Sequence, residues 1–160
     1  MRDSIGANQF RHTMGQLASG VTVVTVRDAS GRAWGMTVSA VTSLSLDPPM
    51  LLVCIDQAAA IYDLLVSADI FGVNVLEESQ ADVARRFADR DRHAWDDHDG
   101  EHSSVSLPLV TGAIAHVDVM RKEVYDGGDH SIITGTVMWS AVREGRPLCY
   151  FRSDYTGLAP

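Results

Sequence analysis

The sequence predicts a mainly β protein, an antiparallel barrel with a few short flanking helices. Two observations predict the architecture and a third sets its extent. Six or seven runs rich in Val, Ile and Thr punctuate the chain, and turn residues rather than long helices join most of them, which argues against parallel crossovers. Neither G-x-G-x-x-G nor G-x-x-x-x-G-K-[ST] occurs, so the phosphate loops of doubly wound nucleotide folds are missing. The 160 residues hold no internal repeat and no linker, which predicts one domain over residues 1–160.

Each element follows from its local pattern. Phe10, Met14 and Leu17 fall at spacings of four and three within residues 6–18, and Ser19-Gly20 supplies a stop, so a short amphipathic helix is expected there. Val21, Val23, Val24 and Val26, with Thr22 and Thr25, form a β-branched strand that ends at the turn Asp28-Ala29-Ser30-Gly31. A returning strand is expected from about Ala33 to Ser45, ended by Asp47-Pro48-Pro49, where proline removes ladder donors. Met50 to Ile55 is continuously apolar and reads as a strand buried on both faces.

Ala58 to Leu65 has helix-forming composition, and Ile70 to Leu76 reads as a strand. Ser79 and Asp82 look like a capping pair for a helix whose apolar face holds Val83, Ala84, Phe87 and Ala88. Residues 89–104 are polar, charged and aperiodic, the pattern of a long surface loop. Strands are then expected at Leu109 to Met120, Ser131 to Val142 and Leu148 to Arg152, separated by turns at 125–129 and 143–147.

Composition limits the partners. The chain is 46% hydrophobic with a formal charge of −8, from 13 basic and 21 acidic side chains, and no block of Lys or Arg offsets it. Nucleic acid and anionic membranes are poor partners for such a surface. The longest apolar run, Met50 to Ile55, is too short to span a bilayer, and the N-terminus lacks an apolar targeting stretch, so a cytoplasmic location is expected. Cys54 and Cys149 form no C-x-x-C pair and suit reduced thiols.

Candidate chemistry concentrates in one stretch. In strand geometry Thr37, Ser39, Ser43 and Ser45 share a face, and only Val41 and Thr42 break the alternation. Four hydroxyls in a row can line a site for a phosphate or a heteroaromatic edge; the wet face of an ordinary antiparallel strand shows the same pattern. His93, His98 and His102 lie among acidic residues, but their spacing matches no compact metal site, so no metal is expected. His130 sits where the glycine turn Gly127-Gly128 enters a strand, a place from which a side chain reaches a cleft, or else serves only its turn. No nucleophile elbow is present, and Asp47, Asp56 and Asp63 have no spacing that singles out a catalytic pair.

Several motifs in order carry a resemblance: Gly20-Val21-Thr22-Val23-Val24-Thr25, the run Gly35 to Pro49, Phe71-Gly72-Val73-Asn74-Val75-Leu76, Arg85-Arg86-Phe87-Ala88 and Gly127-Gly128-Asp129-His130. From about Phe10 to Tyr155 the chain resembles the short-chain flavin reductases, the reductase components of two-component flavin-dependent monooxygenases. The resemblance implies a split β-barrel that binds FMN or FAD, a homodimer, and hydride transfer from NADH or NADPH to flavin for a partner monooxygenase.

Residue by residue, it implies that Thr37, Val38, Ser39 and Ala40 hold the flavin ring edge, with Ser43 and Ser45 toward the ribityl and phosphate end. Cys54, Ile55, Asp56 and Ala60 resemble a second flavin-contacting segment, with a helix start at Ala60 suited to phosphate. Arg86 and Phe87 match a third, where a guanidinium pairs with phosphate and a ring covers the cofactor. His130 matches the family's histidine near the nicotinamide and is the one candidate catalytic residue, while Arg152 and Tyr155 fall where the C-terminal segment holds the nicotinamide nucleotide. A flavin-binding module without reductase activity is the alternative, since a fold does not determine a function.

Overall fold

The computed structural model describes residues 4–89 and 107–158. In chain order the strands are β1 (Ser19–Gly20), β2 (Thr22–Arg27), β3 (Ala33–Val38), β4 (Val41–Leu46), β5 (Pro49–Asp56), β6 (Ile70–Val75), β7 (Ala115–Gly127), β8 (His130–Val142), β9 (Cys149–Phe151) and β10 (Asp154–Thr156). The helices are α1 (Ala7–Met14), α2 (Tyr62–Ser67) and α3 (Ala81–Ala88). Seven strands form an antiparallel sheet in the order β3-β2-β6-β7-β8-β5-β4, and β1, β9 and β10 form a small second sheet.

β3 and β4 are neighbours in sequence yet lie at opposite ends of that order. Laid flat, six spacings of ~4.8 Å would hold them ~29 Å apart, whereas three Cα steps from Val38 to Val41 reach at most ~11 Å. The sheet therefore curls until its two edges approach at Ser39 and Ala40, where Cys54 N donates to Ala40 O at 2.9 Å. Among the described residues β3 pairs only with β2, and β4 only with β5, so the barrel stays split along this line.

This corner corrects the expectation of one strand from Ala33 to Ser45. The lapse in alternation at Val41-Thr42 marks the place where the chain leaves one edge and starts the other, and the facing of its side chains resets there. β4 then turns at Asp47-Pro48, whose peptide is cis, and Leu46 pairs with Pro49.

Two cores flank β2. Val24 and Val26 point into the barrel with Leu51, Val53, Ile55 and Phe71, while Val21 and Val23 pack on the outer face with Leu76, Ala84, Phe87 and Leu148. Burial on both sides explains why β2 is an unbroken β-branched run. β5 is corrected in the opposite sense: Leu51, Val53 and Ile55 are buried but Met50, Leu52 and Cys54 only partly so.

Asn74, fully buried on β6, donates to Val23 O at 3.0 Å; its Oδ1 accepts from Val110 N at 3.0 Å and lies 2.8 Å from His116 Nδ1. Thr25 Oγ1 donates to Pro108 O at 3.1 Å, so residues 108–110 are tied over the outer face.

Other boundaries move for local reasons. α1 ends at Met14 and buries no residue, so its apolar Phe10 and Met14 stay exposed. Residues 57–60 form turns, and α2 starts at Tyr62 rather than at Ala58. Ser79 does not cap α3; its N–H and hydroxyl donate to Glu77 Oε2 at 2.8 and 2.5 Å. β7 starts at Ala115 and runs to Gly127, and a two-residue turn, Gly128-Asp129, replaces the expected turn at 125–129; Gly128 adopts φ 85°, which glycine allows without cost. β1 and β10 are too short for any periodicity to announce them. The acidic loop expected at 89–104, with His93, His98 and His102, lies outside the described residues apart from Asp89.

Candidate functional site

A trough runs along the outer side of β3, built from cavities that share lining residues. The first, about 310 Å³, lies between β3 and α3. Met36 and Thr37 form one wall, Phe87 and Ala88 another, and Asp56 with Ala58 to Ala60 the floor. Thr37 Oγ1 donates to Ala84 O at 2.7 Å, which clamps α3 to the strand. Gly35 completes the clamp because a Cβ there would lie 2.9 Å from Phe87 Cε1, so only glycine lets the ring sit flat against the sheet.

The floor is shaped by its own hydrogen bonds. Ala58 N donates to Asp56 Oδ1 at 2.8 Å and Ala59 N to Asp56 O at 3.0 Å. Asp56 pairs in register with His130 across β5 and β8, so the two side chains project to the same side at the rim of the cavity. His130 Nδ1 lies 2.7 Å from Asp129 Oδ1, and this hydrogen bond, followed by the histidine's charge, holds the Asp129 carboxyl below its ordinary range. An ionised carboxylate only accepts, so Nδ1 carries the proton and Nε2 is left for a ligand.

Thr37 also lines the second cavity, about 220 Å³, with Val21, Ser39, Tyr150 and Tyr155. Tyr150 and Tyr155 are cross-strand partners on β9 and β10, their ring centroids 5.4 Å apart and tilted by 58°. Arg85 sits 5.4 Å above the Tyr155 ring and pairs with Asp82 at 2.8 Å. Burial, helped by Tyr150, pushes the Tyr155 phenol up, with Arg85 opposing.

Of the residues singled out from sequence, the trough brings together Thr37, Ser39, Asp56, Ala60, Phe87 and Tyr155, with His130 at its rim. Val38 and Ile55 are buried in the barrel core, which leaves only their backbone for a ligand. Ala40 forms the corner, Cys54 packs beside it, and the Arg86 guanidinium lies 5.3 Å from the Phe87 ring.

The expectation that Ser43 and Ser45 share a face with Thr37 and Ser39 is corrected: they line a different groove, about 510 Å³, at the open end of the barrel with Val73, Val117 and Val137. The reset at Ser39–Ala40 turned their face inward, away from Thr37. Arg152 lies farther along the trough, beside α1.

The sequence reading missed Met36, Arg85 and Tyr150. The spacing of Tyr150 and Tyr155 around a short turn was the available signal, since such a pair becomes neighbours across a hairpin. Among the described residues no group of three His, Cys, Asp or Glu side chains could hold a metal ion, and no helix is long and apolar enough to cross a membrane.

Comparison with known proteins settles the family. Residues 14–159 match the model of the flavin reductase like domain. The chain belongs to the flavin reductase-like family. It is 36% identical over 159 residues to the reductase subunit HsaB of a flavin-dependent monooxygenase from Rhodococcus jostii, covering 99% of this chain and 81% of that protein. An NADH-dependent FAD reductase from Streptomyces globisporus is 40% identical over 148 residues, covering 86% and 79%. The solved structure of an NADH:FAD oxidoreductase from the same species, in complex with NAD and FAD fragments, superposes with a TM-score of 0.90 at 32% identity, covering 99% of this chain and 98% of that one. The split barrel is thus the fold of this flavin reductase-like chain.

Proposed function

We propose that the protein transfers hydride from NADH or NADPH to FMN or FAD and delivers the reduced flavin to a partner monooxygenase. The observation that carries this reading is the trough beside β3. Its apolar walls, Met36, Phe87 and the alanines of 58–60, suit a flat heterocycle, and its size falls within the range of small-molecule sites. Among the described residues no strand pairs with the outer edge of β3, so outward-facing backbone groups of Thr37 and Ser39 are available to a ring edge.

Bound there, the flavin supplies the hydride acceptor, so no protein nucleophile is required. The protein's own part is positioning and exclusion of water. Thr37, Val38, Ser39 and Ala40 fix the ring edge through backbone and hydroxyl groups. Asp56 and Ala60 close the floor, Phe87 covers the ring, and Arg86 faces the phosphate. His130, oriented by Asp129, aligns the nicotinamide at the rim, and Tyr155 with Arg152 holds the rest of that nucleotide.

The same reading takes residues 1–160 as one domain acting as a homodimer in the cytoplasm. The apolar groove at the barrel's open end, lined by Val41, Leu51, Val73, Val117 and Val137, supports a second copy as its cover, as do the exposed apolar side chains Leu46, Met138 and Val142 elsewhere on β4 and β8. Free thiols at Cys54 and Cys149 suit a reducing compartment.

The test follows NADH and NADPH oxidation by the purified protein with and without added FMN or FAD, with flavin binding measured separately by fluorescence. Oxidation that rises with free flavin is the expected result. Flavin binding without oxidation would overturn the reductase in favour of a binding module.

A further inference from the structure

His130 reaches the rim of the trough from the tip of a long hairpin whose outer half has little support. Among the described residues β7 pairs with β6 only from Ala115 to Met120, and beyond the irregularity between Arg121 and Val124 it pairs with β8 alone. Residues 122–129 are all exposed, so no packing holds the tip from outside. β8 pairs with β5 as far as His130 and Asp56, where the ladder ends. The bond between His130 Nδ1 and Asp129 sets the imidazole relative to the hairpin. It does not set the hairpin relative to the trough's floor.

One residue makes that second connection. Gln57 follows β5 directly and precedes Ala58 to Ala60, which form the floor, while Gln57 itself lines neither cavity of the trough. Its backbone N–H donates to Asp129 O at 3.0 Å. Its side-chain Nε2 donates to His130 O at 3.2 Å and to Ser131 Oγ at 3.4 Å. Ser131 Oγ in turn lies 2.8 Å from Tyr62 Oη on α2. Three consecutive residues with His130 in the middle are thereby tied to the stretch between β5 and α2.

We propose that Gln57 is a positioning residue for hydride transfer: its side-chain amide locks the hairpin tip to the floor, so that His130 meets the nicotinamide at one fixed place. The inference rests on the reductase reading above.

The contacts differ in what they explain. Ser131 is 3% exposed, and its bond to Tyr62 satisfies two polar groups in a place with little water, which needs no further purpose. Gln57 is exposed, so its amide would be solvated if released, and fixing so flexible a side chain costs entropy. Its bonds converge on the backbone that carries His130 and start from the backbone that carries the floor. Supporting contacts of this kind hold a site to its working geometry, and a displacement of about 1 Å can cost on the order of 10²-fold in rate.

The test compares the full chain with Gln57→Leu, which keeps the bulk and the backbone N–H but removes both side-chain donors, alone and combined with His130→Ala. The residue is exposed, so the unfolding midpoint should move little. With saturating FMN the NADH KM should rise about fivefold, the effect of one lost hydrogen bond, with kcat and FMN affinity near wild type. In the His130→Ala background the same substitution should change KM by less than ~2-fold, because the residue it acts through is gone. Equal effects in the two backgrounds, or an unaltered KM in Gln57→Leu, would overturn the role.

A second readout needs no turnover. In spectra of protein with labelled histidine rings, the signal that His130→Ala removes should shift or broaden in Gln57→Leu while the other histidine signals stay in place. An unchanged His130 signal overturns the tether even where KM rises. No FMN-dependent NADH oxidation by the wild type would instead overturn the reductase reading, and the role at the nicotinamide with it, whatever the spectra show.

Discussion

Replacing Gly35 with alanine tests how β3, α3 and the trough between them are coupled. The added methyl would stand 2.9 Å from Phe87 Cε1, 3.0 Å from Phe87 Cδ1 and 3.3 Å from Val23 Cγ1. Carbon atoms pack best at about 3.5–4.0 Å, so something must move by roughly 0.5–1 Å. β3 is held in register by β2, and Val23 is fully buried, which leaves the Phe87 ring as the element that yields. Overpacking of this kind costs about 1–3 kcal/mol, and near 2 kcal/mol lowers Tm by roughly 4–8 °C in a chain of this length.

Because Phe87 is a wall of the first cavity, flavin affinity should fall with the stability. Thermal unfolding and flavin fluorescence titration read the two effects. Gly20→Ala is the control, since nothing lies within 4 Å of its Cβ position. Adding Phe87→Leu to Gly35→Ala should recover part of the loss, giving a coupling of about 0.5 kcal/mol or more. Wild-type stability and flavin affinity in Gly35→Ala, or strict additivity in the double variant, would refute the clamp.

Three further outcomes are expected. His130→Ala should raise the NADH KM about tenfold, the equivalent of one lost hydrogen bond, with flavin affinity unchanged; unaltered steady-state constants would remove its nicotinamide role. Asn74→Ala strands Val23 O and Val110 N in the core and should cost about 3 kcal/mol, a Tm loss of roughly 6–12 °C, read by calorimetry. Asp28 Oδ1 accepts from the Ser30 hydroxyl at 2.6 Å and Oδ2 from Trp34 Nε1 at 2.9 Å, which lowers its pKa from 3.8 to about 2. The folded value is the depressed one, so this contribution is full above pH 3.8 and is lost as pH falls through about 2. The stability gap between wild type and Asp28→Asn should therefore close only in that acid window in thermal melts taken across pH.

Periodicity exposed the elements whose burial is simple. β2 reads as a strand because both of its faces are buried, and α3 reads as a helix because Val83, Ala84 and Phe87 line one side. The corner at Ser39–Ala40 escaped because β3 and β4 abut with no turn residue between them, so a two-residue link looks like a lapse within one strand. That single misreading also misplaced Ser43 and Ser45, since a reset of facing moves every hydroxyl after it to the other side. In the trough, Thr37, Asp56, Phe87, His130 and Tyr155 were legible through the family resemblance. Tyr150 and Arg85 were not, because they depend on hairpin register and on which face α3 turns toward β10.

The link between the barrel's two edges has a further consequence, for the chain's tolerance of length change. Four connections close hairpins, β2–β3, β4–β5, β7–β8 and β9–β10, and a residue added at a tip such as Gly128-Asp129 lengthens a loop that projects beyond its paired strands. Between Val38 and Val41 the same addition would relax the one covalent tie that brings β3 to β4, and the wall beside it would lose its corner. Insertions and deletions in natural variants of this chain should therefore collect at the hairpin tips and be rare at 39–40, a contrast that insertion scanning can read directly.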